Sequence, residues 1–479
     1  MSDQQPPNVA ADTDNAAIWT FGIGAIYLVL AGVLLFGSFV KLGFPFIFQD
    51  WGMASWGRLW PMTILTLVFG AATFLHLGSA HFLLPRLTGT APGGPLERFT
   101  PIISGVLVAV AILAVGFGFG DGRPGFESPL WGDLLIALAL AGPAVAAIRS
   151  VLGKREATIY PSLWYLTGGL IAAIAAILVA NFPLTEATGS FVQTAFGRGT
   201  VLWGWVVAGG VGSAMYLVPR VTGRPLFSRQ LAIITFFSLL LPGMFYGLST
   251  HLLGPVPDWA EAVGIGMRFA LVLPAVTIPA GLLLSGEGAL DRLRHSEVLR
   301  LVAAGTALVS IALLVSAVTA FPSVQTVIGL TTFDLGTELL AIAGALLLGT
   351  AMAFHAFPRI TGRELVGDGA VWHLRLTVLG TVGSTLLLWI AGVSSGITWR
   401  AGAESGSWQN VGEGFTQTLD TVWWMYQVLP LTGLAFLGGQ VLVATTLWRT
   451  WTVGTVTATE AVIAEPATAA PADDQEVEA

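Results

Sequence analysis

The chain has 479 residues, of which 54% are hydrophobic and only 10% charged, a balance that no water-facing surface can cover. It therefore reads as a polytopic membrane protein. With no cysteine, covalent haem attachment, iron–sulfur clusters, thiolate zinc sites and disulfides are excluded within this chain, and the net charge of −7 without a basic patch argues against a nucleic-acid partner.

The acidic start predicts a disordered tail over residues 1–16. Windows of about 20 apolar residues, the length that crosses roughly 30 Å of hydrocarbon, then predict twelve membrane helices within residues 17–451. They start near Ala17, Trp60, Pro101, Trp131, Pro161, Thr200, Ser228, Ala262, Leu299, Gly336, His373 and Met425. Residues 452–479, rich in Ala, Pro, Thr and acid, predict a second disordered tail. Fifteen of the 21 Lys and Arg fall on one side of this layout, so both termini are expected in the cytoplasm, with the body spanning the inner or plasma membrane and membrane lipid as its first partner.

One seven-residue phrase occurs three times, as LLPRLTG from Leu83, LVPRVTG from Leu217 and AFPRITG from Ala356, each closing a long apolar run. Taken singly, Pro and Gly stop a helix and Arg marks an interface. Three copies about 135 to 140 residues apart imply that a four-helix unit has been tripled, with the phrase closing helices 2, 6 and 10.

Longer stretches carry a resemblance. WGRLWPMT from Trp56, MYLVPRVTGRPLFSRQLA from Met215, GLSTHLLGPVPDW from Gly247 and FHAFPRITGREL from Phe354 together resemble the large subunit of haem-copper oxidases, cytochrome c oxidase subunit I. They look most like its high-affinity oxidase and nitric-oxide-reductase branches. The resemblance implies an all-α fold of twelve transmembrane helices in three four-helix arcs, and a place among partner subunits of a respiratory complex.

It also implies six histidine ligands for two haems and a copper, and these are missing. Thr63 stands at the helix 2 haem-ligand position, and Gly199 falls in the turn matching the helix 6 copper ligand. Ser249 and Thr250 replace the helix 7 histidine pair, while Gly336 and Glu338 flank Thr337 where helix 10 would carry its two haem ligands. Of the chain's six histidines, His76, His81, His355 and His251 are the candidates for any residual haem. Arg198, Asp334 and Glu338 are a candidate buried polar site, with an Arg198–Glu338 pair across the emptied cavity.

Three functions follow. The preferred one is a ligand-depleted, non-catalytic component of a respiratory or membrane metalloenzyme complex, with no cofactor or metal expected. The second is an oxidase or nitric-oxide-reductase-type subunit carrying haem by unconventional ligation. The third is a proton or solute pathway without redox metals. The central cavity separates them: aromatic filling favours a structural subunit, an open slot favours haem, and a wet polar channel favours transport.

Overall fold

The computed structural model describes residues 7–90, 95–182, 187–251, 256–289, 291–406 and 411–456. Among the described residues twelve helices are long and apolar enough to cross a membrane: α1 (Thr13–Gly43), α2 (Trp56–Thr88), α3 (Phe99–Gly116), α4 (Leu130–Leu152), α5 (Pro161–Ala180), α6 (Thr188–Thr222), α7 (Arg229–Thr250), α8 (Asp258–Ser285), α9 (Glu297–Val318), α10 (Phe333–Thr361), α11 (Gly369–Ser405) and α12 (Gly412–Val453). Several begin ahead of their apolar windows. Continuous helix runs from Pro7 into α1, taking in residues 7–16 that the sequence assigned to a disordered tail, while residues 1–6 and 457–479 lie outside the described residues.

Burial sorts the helices. The apolar windows of α2 and α10 are wholly buried and that of α6 is 94% buried, against 39–61% for the other nine. These three helices touch one another at the centre, while α1 packs on α12 and the remaining neighbours follow in chain order around them. Each group of four thus supplies its second helix, the one that ends in the Pro-Arg phrase, to the core.

The phrase has one structure in all three copies. Gly89, Gly223 and Gly362 take φ of 66°, 69° and 63°, the left-handed cap that glycine adopts without penalty. Their amides bond back to the carbonyls of Pro85, Pro219 and Pro358. The Thr88, Thr222 and Thr361 hydroxyls donate to the carbonyls of Leu84, Val218 and Phe357, at 2.7, 2.6 and 2.8 Å. Each proline lacks an N–H and so releases the carbonyl four residues before it; in the second copy the Tyr160 hydroxyl takes up that carbonyl, Met215 O, at 3.0 Å.

One turn before the arginines, Phe82, Tyr216 and His355 hold equivalent positions and meet edge to face. Their ring centroids lie 6.4, 6.3 and 5.9 Å apart. The three central helices are thereby closed against each other at the Pro-Arg end.

Candidate functional site

The positions that the resemblance aligns with metal ligands are all built into the helices. The Thr63 hydroxyl donates to Leu59 O at 2.8 Å and lies 2.8 Å from the Ser38 hydroxyl of α1. A Cβ at Gly199 would strike the Gly243 carbonyl of α7, so these helices touch backbone to backbone where a ligand would stand. The Ser249 and Thr250 hydroxyls donate to their own helix, to Tyr246 O and Gly247 O at 2.8 and 2.7 Å. Gly336 packs against α11, where a Cβ would lie 3.1 Å from that of Leu388, and the Trp389 indole N–H of α11 donates to the Thr337 hydroxyl at 2.9 Å.

Two wide, π-helical turns, Thr66–Ala72 in α2 and Thr200–Val207 in α6, meet midway along the two helices. Such turns leave backbone carbonyls open to side-chain donors. Val68 O accepts from the Thr73 hydroxyl at 2.9 Å and Val206 O from His76 Nε2 at 2.8 Å. Trp205 fills the space between them, its indole N–H on the Thr73 hydroxyl at 2.9 Å and its ring edge-on to His76. Gly209 leaves room for this imidazole, since a Cβ there would come within 2.5 Å of the ring. The core between α2 and α6 is filled by aromatic side chains.

The histidines are spread out. His76 gives Nε2 to α6, His81 Nδ1 lies 3.2 Å from the Thr20 hydroxyl of α1, and His355 sits between Phe82 and Tyr216. His251 ends the short turn Gly247–His251, and its side chain lies outside the described residues. His373 is held by Thr350 and by Gly439 O. Among the described residues no three His, Cys, Asp or Glu side chains are grouped as a metal would need.

Charge gathers instead at the end of the bundle opposite the Pro-Arg phrases. Arg198 of α6 donates to Glu338 Oε2 of α10, so the α10 position that the resemblance aligns with a haem ligand holds one half of an ion pair, and the neighbour of Gly199 holds the other. Asp334 turns away from this pair to Arg268 of α8, which meets both of its oxygens at 2.6 and 3.4 Å. Arg268 also donates to Ser316 O at 2.9 Å and to the Thr319 hydroxyl at 3.1 Å on α9, and its guanidinium lies 5.1 Å from the centroid of the Tyr246 ring on α7. Arg268 is fully buried. Arg268 is one of the six Lys and Arg left on the side away from the fifteen, read there as outer-side charges, and a lone Arg ten residues into a membrane helix was the available signal.

Over this cluster lies the loop between α3 and α4. Glu127 Oε1 accepts the Gly125 N–H at 2.8 Å, and its other oxygen is enclosed without a partner. Burial pushes this carboxyl above its ordinary range, against the opposing pull of the Gly125 N–H and of Arg198. Nearby, Asp133 of α4 accepts from Asn181 at 2.9 Å, and Asn181 in turn accepts from Arg123 at 2.8 Å.

The sequence model of the family described as cytochrome c and quinol oxidase polypeptide I matches residues 15–435. The chain belongs to that family. It is 24% identical to the cbb3-type cytochrome c oxidase subunit CcoN1 of Stutzerimonas stutzeri over 89% of this chain and 93% of that one. Similarity to cytochrome c oxidase subunit 1 of Rhodobacter capsulatus is 23% over 89% and 82%. The fold matches a haem-copper terminal oxidase dimer solved by cryo-electron microscopy with a TM-score of 0.73 at 14% identity, covering 92% of this chain and 84% of that one. This chain is therefore a multi-pass membrane subunit related to cytochrome c oxidase subunit I.

The residues present do not fit the haems and copper the family implies. At the aligned positions hydroxyls are engaged, glycines touch neighbouring backbone, and the one carboxylate holds an arginine. None offers the imidazole nitrogen that such centres use.

Proposed function

We propose that this chain is a ligand-depleted, non-catalytic membrane component of a larger respiratory or membrane metalloenzyme complex. It would sit in the inner or plasma membrane with both termini cytoplasmic. The observation that carries this reading is the Arg198–Glu338 ion pair, which occupies one ligand position and the neighbour of another. A metal cross-link between helices is replaced by a charge pair, and the helices keep their packing. Trp203 and Trp205, both fully buried on α6, support it further as large aromatic side chains packed into the core.

The test is a pyridine haemochrome assay with copper analysis on the detergent-purified chain. Haem and copper far below stoichiometry are expected. About one haem per chain would refute the proposal in favour of an electron-transfer subunit, with His76, His81, His355 and His251 as the ligands to substitute singly. Metal-free protein that carries protons across liposomes would refute it in favour of the pathway reading.

A further inference from the structure

We propose that the acidic segment 473–478 docks on the arginines that close the three central helices, so that the chain covers its own Pro-Arg face. Arg86, Arg220 and Arg359 each stand one helical turn beyond Phe82, Tyr216 and His355, the three rings whose centroids lie within 6.4 Å of one another. All three arginines are exposed, and all lie within electrostatic reach of His355. Helix ends take up part of this charge, through Phe82 O for Arg86 and His355 O for Arg359. At the second copy the helix end is shared: Arg292 takes Val221 O and Thr222 O at 3.2 and 2.9 Å, so two guanidiniums stand at one terminus. Arg86 shows how the excess is met, since it pairs with Asp14, an acid from the start of α1.

The chain leaves the fold beside the same arginines. Val456 forms an isolated β-bridge with Arg363, and the Glu364 N–H donates to Thr455 O at 3.1 Å. Arg363 is four residues past Arg359, so their Cα atoms are at most about 14 Å apart. Residues 457–479 hold no Lys, Arg or His and six acids: Glu460, Glu465 and the cluster Asp473, Asp474, Glu476 and Glu478. Four carboxylates within six residues match three clustered guanidiniums in charge and multiplicity. Sixteen residues, 457–472, separate the bridge from the cluster, and a chain of that length can reach about 50 Å. The tether places the cluster before the arginines at an effective concentration on the order of millimolar.

The chain has no cysteine, so two spin labels can be placed without removing a native thiol. Labels on Ala472→Cys and Phe227→Cys report the distance from the acidic segment to an exposed residue just after the second Pro-Arg phrase. For the full chain in nanodiscs of neutral lipid, double electron–electron resonance should give one narrow distance distribution. It should broaden in about 1 M salt, where the screening length falls to about 3 Å, and when the segment carries Asp473→Asn, Asp474→Asn, Glu476→Gln and Glu478→Gln. Arg220→Gln with Arg359→Gln should broaden it likewise; the segment variant alters no membrane helix and decides the matter where the arginine variant fails to fold. A distribution that is broad from the outset, or narrow and unmoved by salt and by the neutral segment, overturns the proposal. A narrow distribution that broadens when the nanodiscs contain anionic lipid assigns the arginines to headgroups and overturns it as well.

Discussion

Neutralising Asp334 should destabilise the protein more than neutralising Glu338, although Glu338 sits at the ligand position. Arg268 is 0% exposed and meets both Asp334 oxygens. Asp334→Asn therefore leaves a buried cation with only neutral acceptors, a loss of roughly 3–5 kcal/mol for a broken buried pair. Arg198 differs because its side chain is 31% exposed, so once released it regains water. Glu338→Gln loses one charge-assisted hydrogen bond, about 1.5–3 kcal/mol when enclosed, which solvent access reduces to about 1–2 kcal/mol. The expected gap of about 2 kcal/mol is a factor of roughly 30 in the unfolding equilibrium. Denaturant unfolding followed by tryptophan fluorescence measures it. Equal losses, or a larger loss for Glu338→Gln, would refute the argument that exposure of the cation sets the cost. A double Arg268→Met, Asp334→Leu variant should lose less than Asp334→Asn alone, since it leaves no unpaired charge.

Three further outcomes follow from the same geometry. Placing histidines at Thr63 and Glu338 together should not give stoichiometric haem in a haemochrome assay, because both positions are engaged in packed helices, Thr63 with Leu59 and Ser38 and Glu338 with Arg198. Gly199→Ala should lower stability by roughly 1–3 kcal/mol, because its Cβ meets the Gly243 carbonyl and neither backbone can turn aside; an unchanged unfolding midpoint would contradict that contact. Glu127 holds its proton more tightly folded than unfolded. Its contribution is therefore greatest below its reference value of 4.5 and falls as pH rises through the higher folded value, so Glu127→Gln should flatten the stability-against-pH curve in that range.

The fold was legible because apolar length and the repeated phrase are local signals. Twenty-residue windows mark spans whatever they pack against, and Pro-Arg followed by Thr-Gly encodes a helix stop that needs no partner. The phrase also marked the three helices that lie at the centre, although only contact between units makes them central. The site was less legible. Arg198, Glu338 and Asp334 stood out as charges in apolar helices, but the partner of Asp334 was read as an outer-side arginine. Which arginine meets which carboxylate depends on how α8 and α10 are rotated against each other, and the spacing of residues along each helix does not specify that relation. The wide turns at 66–72 and 200–207 left no mark at all, since their residues are ordinary apolar ones.

Closure at the Pro-Arg end of the central helices bears on the pathway reading. At the Pro-Arg end Phe82, Tyr216 and His355 meet ring to ring, and Arg86, Arg220 and Arg359 lie within electrostatic reach of His355. Three guanidiniums so close would repel one another if each helix end did not present about half a negative charge from its terminal carbonyls. Arg86 and Arg359 bond the carbonyls of Phe82 and His355 at 3.0 and 2.8 Å, and Arg86 also takes Asp14 at 3.0 Å. Most of the positive charge is thus met by helix ends and one carboxylate, and the arginines serve as caps that hold the aromatic closure in place. A solute crossing along this axis would have to part three rings and strip three capped helix termini. Conduction along this axis would therefore require α2, α6 and α10 to separate at that end, which the ring contacts and arginine caps oppose.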